Sequence, residues 1–400
     1  MADDQSKRLH VPSGTSSAAE YGPRARPLAL AVRIIEHASR ERPADRVLRD
    51  TLKSERHLPA SDSATVSRSV FAYYRWLGWL ERAKPLPQQV ETASALATRF
   101  AVSPDSLSDA ELMQRAAPGW LGEEVQMTAE FARALQSAPP VWLRARPGQG
   151  ISTANLLGEC RPFGSGALAE ALQYLGHKDL LSTPEFHRGL FELQDLSSQA
   201  VGLICDPKPG EVWWDTCAGE GGKLLHLSDL MQNKGLIWGS DRAAWRLKRL
   251  GRRAARAGVF NYRSAPWDGG AKLPTRTKFD GILVDAPCTG VGTWHRNPQA
   301  RWTTSLEDIK ELSDIQSQLL ARACLALKPG GKLVYSVCTL TRSETVNVVM
   351  RFQNEFPQFE PLLIRNPCTS QSAAQQTLQI PLEVNGGNGM FVAAWRRKNG

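Results

Sequence analysis

The chain has no window of roughly 18 consecutive apolar residues, and its N-terminus carries no signal-peptide core, so neither a membrane span nor an export signal is expected. It contains no G-x-x-x-x-G-K-[ST] phosphate loop and no G-x-G-x-x-G fingerprint. No internal repeat is visible. The seven cysteines, at 160, 205, 217, 288, 324, 338 and 368, are odd in number and show no C-x-x-C or Cys/His spacing. That spacing argues against a disulfide framework and against a zinc site, so free thiols, no metal and a reducing cytoplasm are expected.

What is present fits an ordinary globular protein, with 42% apolar and 22% charged residues. Four hundred residues suggest two or three domains, each able to bury its own core. Lysine plus arginine number 49 against 40 acidic residues, a formal net charge of +9. A basic balance favours a polyanionic partner such as nucleic acid.

Residues 1–27 mix Ser, Gly, Pro and both charge signs without periodicity and are expected to form a disordered tail. From Leu28 the apolar positions recur at helical spacing (Leu28, Ala31, Ile34, Ile35, Ala38), followed by the basic stretch Arg40, Arg42, Arg46 and Arg49. Ser61-Asp62-Ser63 starts another helix, and further helical patterns run to Gln136 with breaks at Pro104 and Pro118. An all-helical domain is therefore expected over 28–137, with Tyr73, Trp76 and Leu80 in its core. Pro139-Pro140 opens a small α/β connecting subdomain over 138–185, beginning with the strand Val141–Pro147, where apolar and basic residues alternate. Arg144 there either contacts phosphate or solvates one strand face.

From 186 to 400, apolar strands alternate with amphipathic helices: Val212–Asp215, Leu236–Ser240, Phe279–Asp285 and Lys332–Val337, with helices after each. This alternation predicts an α/β fold with a doubly wound parallel sheet. Two of its strands end alike, Asp285-Ala286-Pro287-Cys288-Thr289 and Val337-Cys338-Thr339. Ligands bind beyond the carboxyl ends of such strands, so both thiols sit where chemistry is done, unless they only cap buried strands as small apolar residues. At the first strand, Cys217-Ala218-Gly219-Glu220-Gly221-Gly222-Lys223 is a glycine-containing turn into a helix, open to a ligand on backbone amides. Asp241 ends the next strand, at the interval where such sheets hold ribose hydroxyls; a helix N-cap is its other reading. Asp268 follows the short third strand, placed either for an adenine amino group or as a surface-turn residue.

These pieces together resemble the RsmB/Nol1/Nop2/Sun family of RNA 5-methylcytosine methyltransferases. The resemblance rests on Asp215 to Lys223, Asp285 to Gly292, His295-Arg296-Asn297-Pro298 with Trp302, and Val337 to Leu340. Gly189 to Asp195 with Ser198, and Gly389 to Ala393, look like the same family. Residues 28–82 more weakly resemble its NusB-like RNA-binding module through Ser61-Asp62 and Val70 to Trp76. The chain departs from the pattern at three positions: Gly219-Glu220 stand where Ala-Pro is usual, and Val337 where Ser or Thr is usual.

The resemblance implies a Rossmann-like methyltransferase sheet and S-adenosyl-L-methionine as cofactor, held by residues 217–223, Asp241, Asp268 and Asp285. It implies that Cys338 adds to carbon 6 of cytosine, that Asp285 holds a proton against ring nitrogen 3, and that Cys288 serves removal of the carbon-5 proton. Lys223 orients Asp285 or the base carbonyl. Such covalent catalysis divides one hard step into easier ones, and it needs a thiolate and a cytosine outside its stack. RNA is then the partner, ribosomal RNA ahead of tRNA, with Arg296, Asn297 and Arg144 as candidate contacts and the basic run Arg246 to Arg256 as another. Two other readings stand beside this one: a DNA cytosine methyltransferase with Cys288 as nucleophile, and a non-catalytic RNA-binding assembly scaffold.

Overall fold

The computed structural model describes residues 25–164, 166–369 and 373–399, so most of the expected N-terminal tail lies outside the described residues. Its last residues do not: Ala25–His37 is already helix α1, an apolar stripe of Leu30, Ala31, Ile34 and Ile35 buried on one face. Helices α2 (Ala44–Ser54), α3 (Ala60–Arg75) and α4 (Leu86–Val102) follow. The described residues form two compact units, one made of those up to 73 with 80–96 and the other of 74–79 with those from 97 onward. In the first, Val47, Leu48, Val66, Val70, Tyr73 and Val90 are buried, and Glu55 pairs with Arg26 at 3.1 Å and Arg33 at 3.0 Å. Tyr73, Trp76 and Leu80 are core residues as expected.

The second unit begins with short helices, α5 (Asp109–Arg115), α6 (Leu121–Glu124) and α7 (Ala129–Gln136). The helical pattern expected to run on from Pro118 to Gln136 is broken once more, because Thr128 caps α7, its hydroxyl accepting from Phe131 N–H. A four-stranded antiparallel sheet comes next, in the order β2 (Cys160–Pro162), β3 (Ala171–Tyr174), β1 (Val141–Ala145), β4 (Phe191–Leu193), with α8 (Gly150–Leu157) and α9 (Pro184–His187) beside it. This sheet reaches Leu193, past the expected boundary at 185.

Helix α10 (Leu196–Cys205) leads into the large sheet. Its parallel core orders β7 (Tyr262–Pro266), β6 (Leu236–Asp241), β5 (Val212–Asp215), β8 (Phe279–Asp285) and β9 (Leu327–Val337). Helices α11 (Gly222–Leu230), α12 (Ala244–Arg256), α13 (Ala300–Thr303) and α14 (Leu306–Ala323) are crossover pieces, and α15 (Val346–Glu355) follows β9. Three antiparallel strands complete the edge: β12 (Met390–Arg397) pairs with β9, and β10 (Phe359–Pro361) and β11 (Thr377–Ile380) pair with β12. The fold is thus the expected Rossmann-like sheet, with a mixed edge that the alternation of strands and helices did not announce.

Both faces of this sheet are covered. Trp213 and Trp214, adjacent on β5, point into opposite apolar clusters because side chains alternate along a strand. Each indole removes about 200 Å² from water, about 5 kcal/mol at roughly 25 cal/mol per Å². Gly281 on β8 is bare because a Cβ there would enter the Trp213 ring. No helix among the described residues is long and apolar enough to cross a membrane, and no cluster of metal-ligating side chains occurs among them.

Candidate active site

Strand β5 connects onward to β6 on one side while β8 lies on its other side, so the chain reverses direction of build at the ends of β5 and β8. In open α/β sheets this switch point is where a crevice forms. The loop after β5 is laced across it: Thr216 N–H donates to Leu283 O at 3.0 Å, Ala218 N–H to Ser240 O at 2.7 Å, and Gly219 N–H to Asp241 Oδ2 at 3.1 Å. Gly221, with φ +92°, starts α11 in a conformation that favours glycine, and a Cβ on it would press Leu250 at 2.8 Å. At Gly219 and Gly222 a Cβ would meet nothing within 4 Å, which leaves open space over bare backbone.

Aspartates end three neighbouring strands: Asp215 on β5, Asp241 on β6 and Asp285 on β8. Burial, with Asp285 nearby, pushes Asp215 up to about 8. Asp241 also accepts from Ala243 N–H at 2.7 Å, but it is not the expected N-cap: Ala243 occupies that position, because the helix begins only at Ala244. Bare amides beside carboxylates suit a cofactor carrying both hydroxyls and positive charge. Glu220, the departure from the family pattern, is neutralised by Arg249 at 2.7 Å. Cys217 is pushed up to about 12 by burial, an inert thiol. Asp268 is exposed and accepts from Gly270 N–H at 2.8 Å.

The thiols meet because β8 and β9 are parallel neighbours in a register that sets Asp285 opposite Ser336. Cys288 lies three residues beyond one strand partner and Cys338 two beyond the other. Their sulfurs are 3.3 Å apart, and both residues are half-buried. Asp285 accepts from Lys223 Nζ at 2.7 Å and from the Ser336 hydroxyl at 2.7 Å. Burial opposes the Lys223 charge, but Asp285 outweighs it, and the ammonium is held above its ordinary range.

Across the seven cysteines one alone is pushed down. The hydrogen bond from Cys288 lowers Cys338 first, and Lys223 helps against burial and Asp285. Cys288 is pushed well up by that same bond, then by burial and by Cys338 and Glu344. Cys205, Cys324 and Cys368 are pushed up to about 12 and Cys160 upward, all by burial first. Lys223 is the positive neighbour that the sequence did not name.

The expected RNA contacts fare differently. Arg144 is buried, not surface-facing: it pairs with Asp229 and donates to Gln194 Oε1 at 2.6 Å, so the structure corrects its reading as a phosphate contact. The strand alternation misled because Asp229 on α11 makes the basic face an interior one. Arg296 is likewise turned inward, donating to Asn388 Oδ1 at 2.8 Å, Pro140 O at 2.9 Å and Asp195 Oδ2 at 3.0 Å. Asn297 is exposed. The stretch around it acts as a joint: His295 O accepts from Arg75 at 2.9 Å, Trp302 Nε1 donates to Tyr74 O at 2.7 Å, and buried Arg301 donates to Ala116 O at 2.7 Å and Leu135 O at 2.8 Å. In the basic run on α12, Arg253 and Arg256 grip buried Glu192 at 2.7 and 2.5 Å, whereas Lys248 and Arg252 are exposed. Sequence reasoning passed over Ser336, Thr289, Thr339 and Glu344, although the twice-written Cys-Thr pair was a signal.

Residues 202–396 match the family model described as 16S rRNA methyltransferase RsmB/F. Over 239 residues the chain is 34% identical to the "Probable ribosomal RNA small subunit methyltransferase B" of Bacillus subtilis (strain 168), covering 58% of this chain and 54% of that protein. It is 36% identical over 228 residues to the ribosomal RNA small subunit methyltransferase F of Aliivibrio salmonicida, covering 54% and 48%. The chain spans about half the length of these curated relatives. The solved structure described as PH0851 shares the fold, with a TM-score of 0.72 at 22% identity over 98% of this chain and 100% of that one. The matched segment, residues 202–396, is thereby identified as an RsmB/F methyltransferase domain.

Proposed function

We propose that this protein methylates carbon 5 of a cytosine in RNA, ribosomal RNA before tRNA, through a covalent adduct between Cys338 and carbon 6. The observation that carries the reading is the asymmetric thiol pair, 3.3 Å apart beside a Lys223–Asp285 ion pair. The names of the relatives, both ribosomal RNA small subunit methyltransferases, favour ribosomal RNA. S-adenosylmethionine, when bound, supplies an electrophilic methyl group. Bare backbone at Gly219 and Gly222, with Asp215, Asp241 and Asp285 around it, would hold it.

Carbon 5 of cytosine is a weak nucleophile until a thiolate adds to carbon 6. The Cys338 sulfur forms that bond, and the displaced electron pair makes carbon 5 enamine-like. Asp285, kept in place by Lys223 and Ser336, shares a proton with ring nitrogen 3 as negative charge gathers there. Once carbon 5 bears the methyl group its proton must leave, and Cys288, after its own proton has passed to solvent, takes it as a base. The carbon 6–sulfur bond then breaks and returns Cys338. Because Cys338 is the acidified thiol, the pair supports it as nucleophile over Cys288, the assignment a DNA cytosine methyltransferase would need. A reducing cytoplasm suits chemistry that depends on free thiols.

Purified protein incubated with ribosomal RNA and methyl-tritiated S-adenosylmethionine should place label in 5-methylcytosine. Cys338→Ala should abolish labelling, and Cys288→Ala should accumulate a denaturant-resistant protein–RNA adduct. Near-normal turnover by Cys338→Ala would overturn the reading.

A further inference from the structure

Both cysteines are followed by threonine, and a residue outside either motif explains why. Glu344 is fully buried, and its carboxylate faces five donors, none of them charged. Oε1 accepts from Thr289 N–H at 2.9 Å and Gln316 Nε2 at 3.0 Å. Oε2 accepts from the hydroxyls of Thr289, of Thr341 at 2.7 Å and of Thr339 at 3.2 Å. The Thr289 and Thr339 hydroxyls lie 3.0 Å apart. Around this point, Gln316 Nε2 also reaches Pro287 O at 2.9 Å, and the Tyr335 hydroxyl donates to the Glu344 carbonyl at 2.6 Å.

We infer that Glu344 is a positioning residue: its carboxylate clamps the loop carrying Cys288 to the loop carrying Cys338 and so holds the two sulfurs at their working separation. The inference rests on the proposed cytosine chemistry for its purpose, and on the hydrogen bonds alone for its geometry. A buried charge without a cation costs several kcal/mol in general unless hydrogen bonds replace its hydration, and a carboxylate offers about four acceptor sites for that. Here every donor comes from a residue in or packed against a cysteine loop. Its charge has a direction too: Glu344 helps push the Cys288 thiol up, which favours leaving the shared proton on Cys288.

The test reads the thiol separation without RNA or cofactor. Diamide, reduced to its hydrazine as the two thiols lose their protons and join, closes a Cys288–Cys338 disulfide that peptide mass spectrometry quantifies. Glu344→Ala should slow closure about tenfold and lower kcat for methyl transfer about 100-fold, with KM for RNA within about threefold, since a shift of roughly 1 Å suffices for such losses. Glu344→Gln keeps an acceptor towards the two N–H donors, and the threonine hydroxyls can turn to accept from its amide; it should restore closure to within about threefold of wild type. A Glu344→Ala protein that melts cooperatively and closes at the wild-type rate overturns the clamp. If Glu344→Ala does not melt cooperatively, Thr289→Val and Thr339→Val decide: slowed closure in either supports the clamp, and wild-type closure in both overturns it. Wild-type protein that labels no RNA would instead refute the methyltransferase reading, leaving the closure rates to judge Glu344.

Discussion

The sulfur of Cys288 lies 3.3 Å from the sulfur of Cys338, and the hydrogen bond between them lowers the Cys338 thiol and pushes the Cys288 thiol up. Fifty residues of chain separate the two, and one hydrogen bond makes them chemically unlike. Iodoacetamide should therefore alkylate Cys338 first as pH rises, and Cys288→Ala, which removes the hydrogen bond to the thiolate, should move the Cys338 midpoint upward. Site-resolved mass spectrometry across a pH series checks this; equal alkylation of both thiols at every pH would refute it.

Lys223 is the cation that favours the Cys338 thiolate and fixes Asp285. Lys223→Met leaves Asp285 facing that thiolate without compensation. The alkylation midpoint of Cys338 should rise, and kcat should fall by about 100-fold or more, the cost of losing one pre-placed electrostatic group. Unchanged alkylation would separate Lys223 from the acidity of Cys338.

Arg144 serves the fold, not the substrate. Arg144→Met leaves buried Asp229 with Arg146 alone, at 2.6 Å. A loss of about 3 kcal/mol in urea unfolding is expected from breaking a buried pair, and the folded protein should bind RNA as wild type does at matched salt. A selective loss of RNA affinity would restore the phosphate-contact role.

Acid should unfold the protein through its buried histidines. His295 is pushed down to about 3 and His226 well below its ordinary value, both by burial first. Below pH 6.5 the unfolded chain takes up protons that the folded chain refuses, so each histidine removes about 1.4 kcal/mol per pH unit as pH falls from 6.5. Asp215 acts in the opposite sense. With its carboxyl at about 8 it is protonated in the fold, and its contribution is lost as pH rises from the unfolded value through 8. His295→Gln should flatten the acid limb of stability, and Asp215→Asn the alkaline decline; urea melts at pH 5.5, 6.5 and 8 measure both.

The alternation of strands and helices, the paired Cys-Thr endings and the glycine turn at 219–222 were legible in the sequence because each follows from local pattern: apolar runs, strand length and turn chemistry. The family resemblance lay in the same stretches. Charge sign alone did not tell Arg144 from a surface arginine, because its partner Asp229 comes from another element of the fold. Nor did it reveal that Arg253 and Arg256 are spent on Glu192. Residue type placed two thiols after two strands; only the parallel register of β8 and β9 brought them to 3.3 Å. The difference in their acidity, and the carboxylate of Glu344 beneath both loops, arise from burial and hydrogen bonds between distant segments, which exist only once the chain has folded.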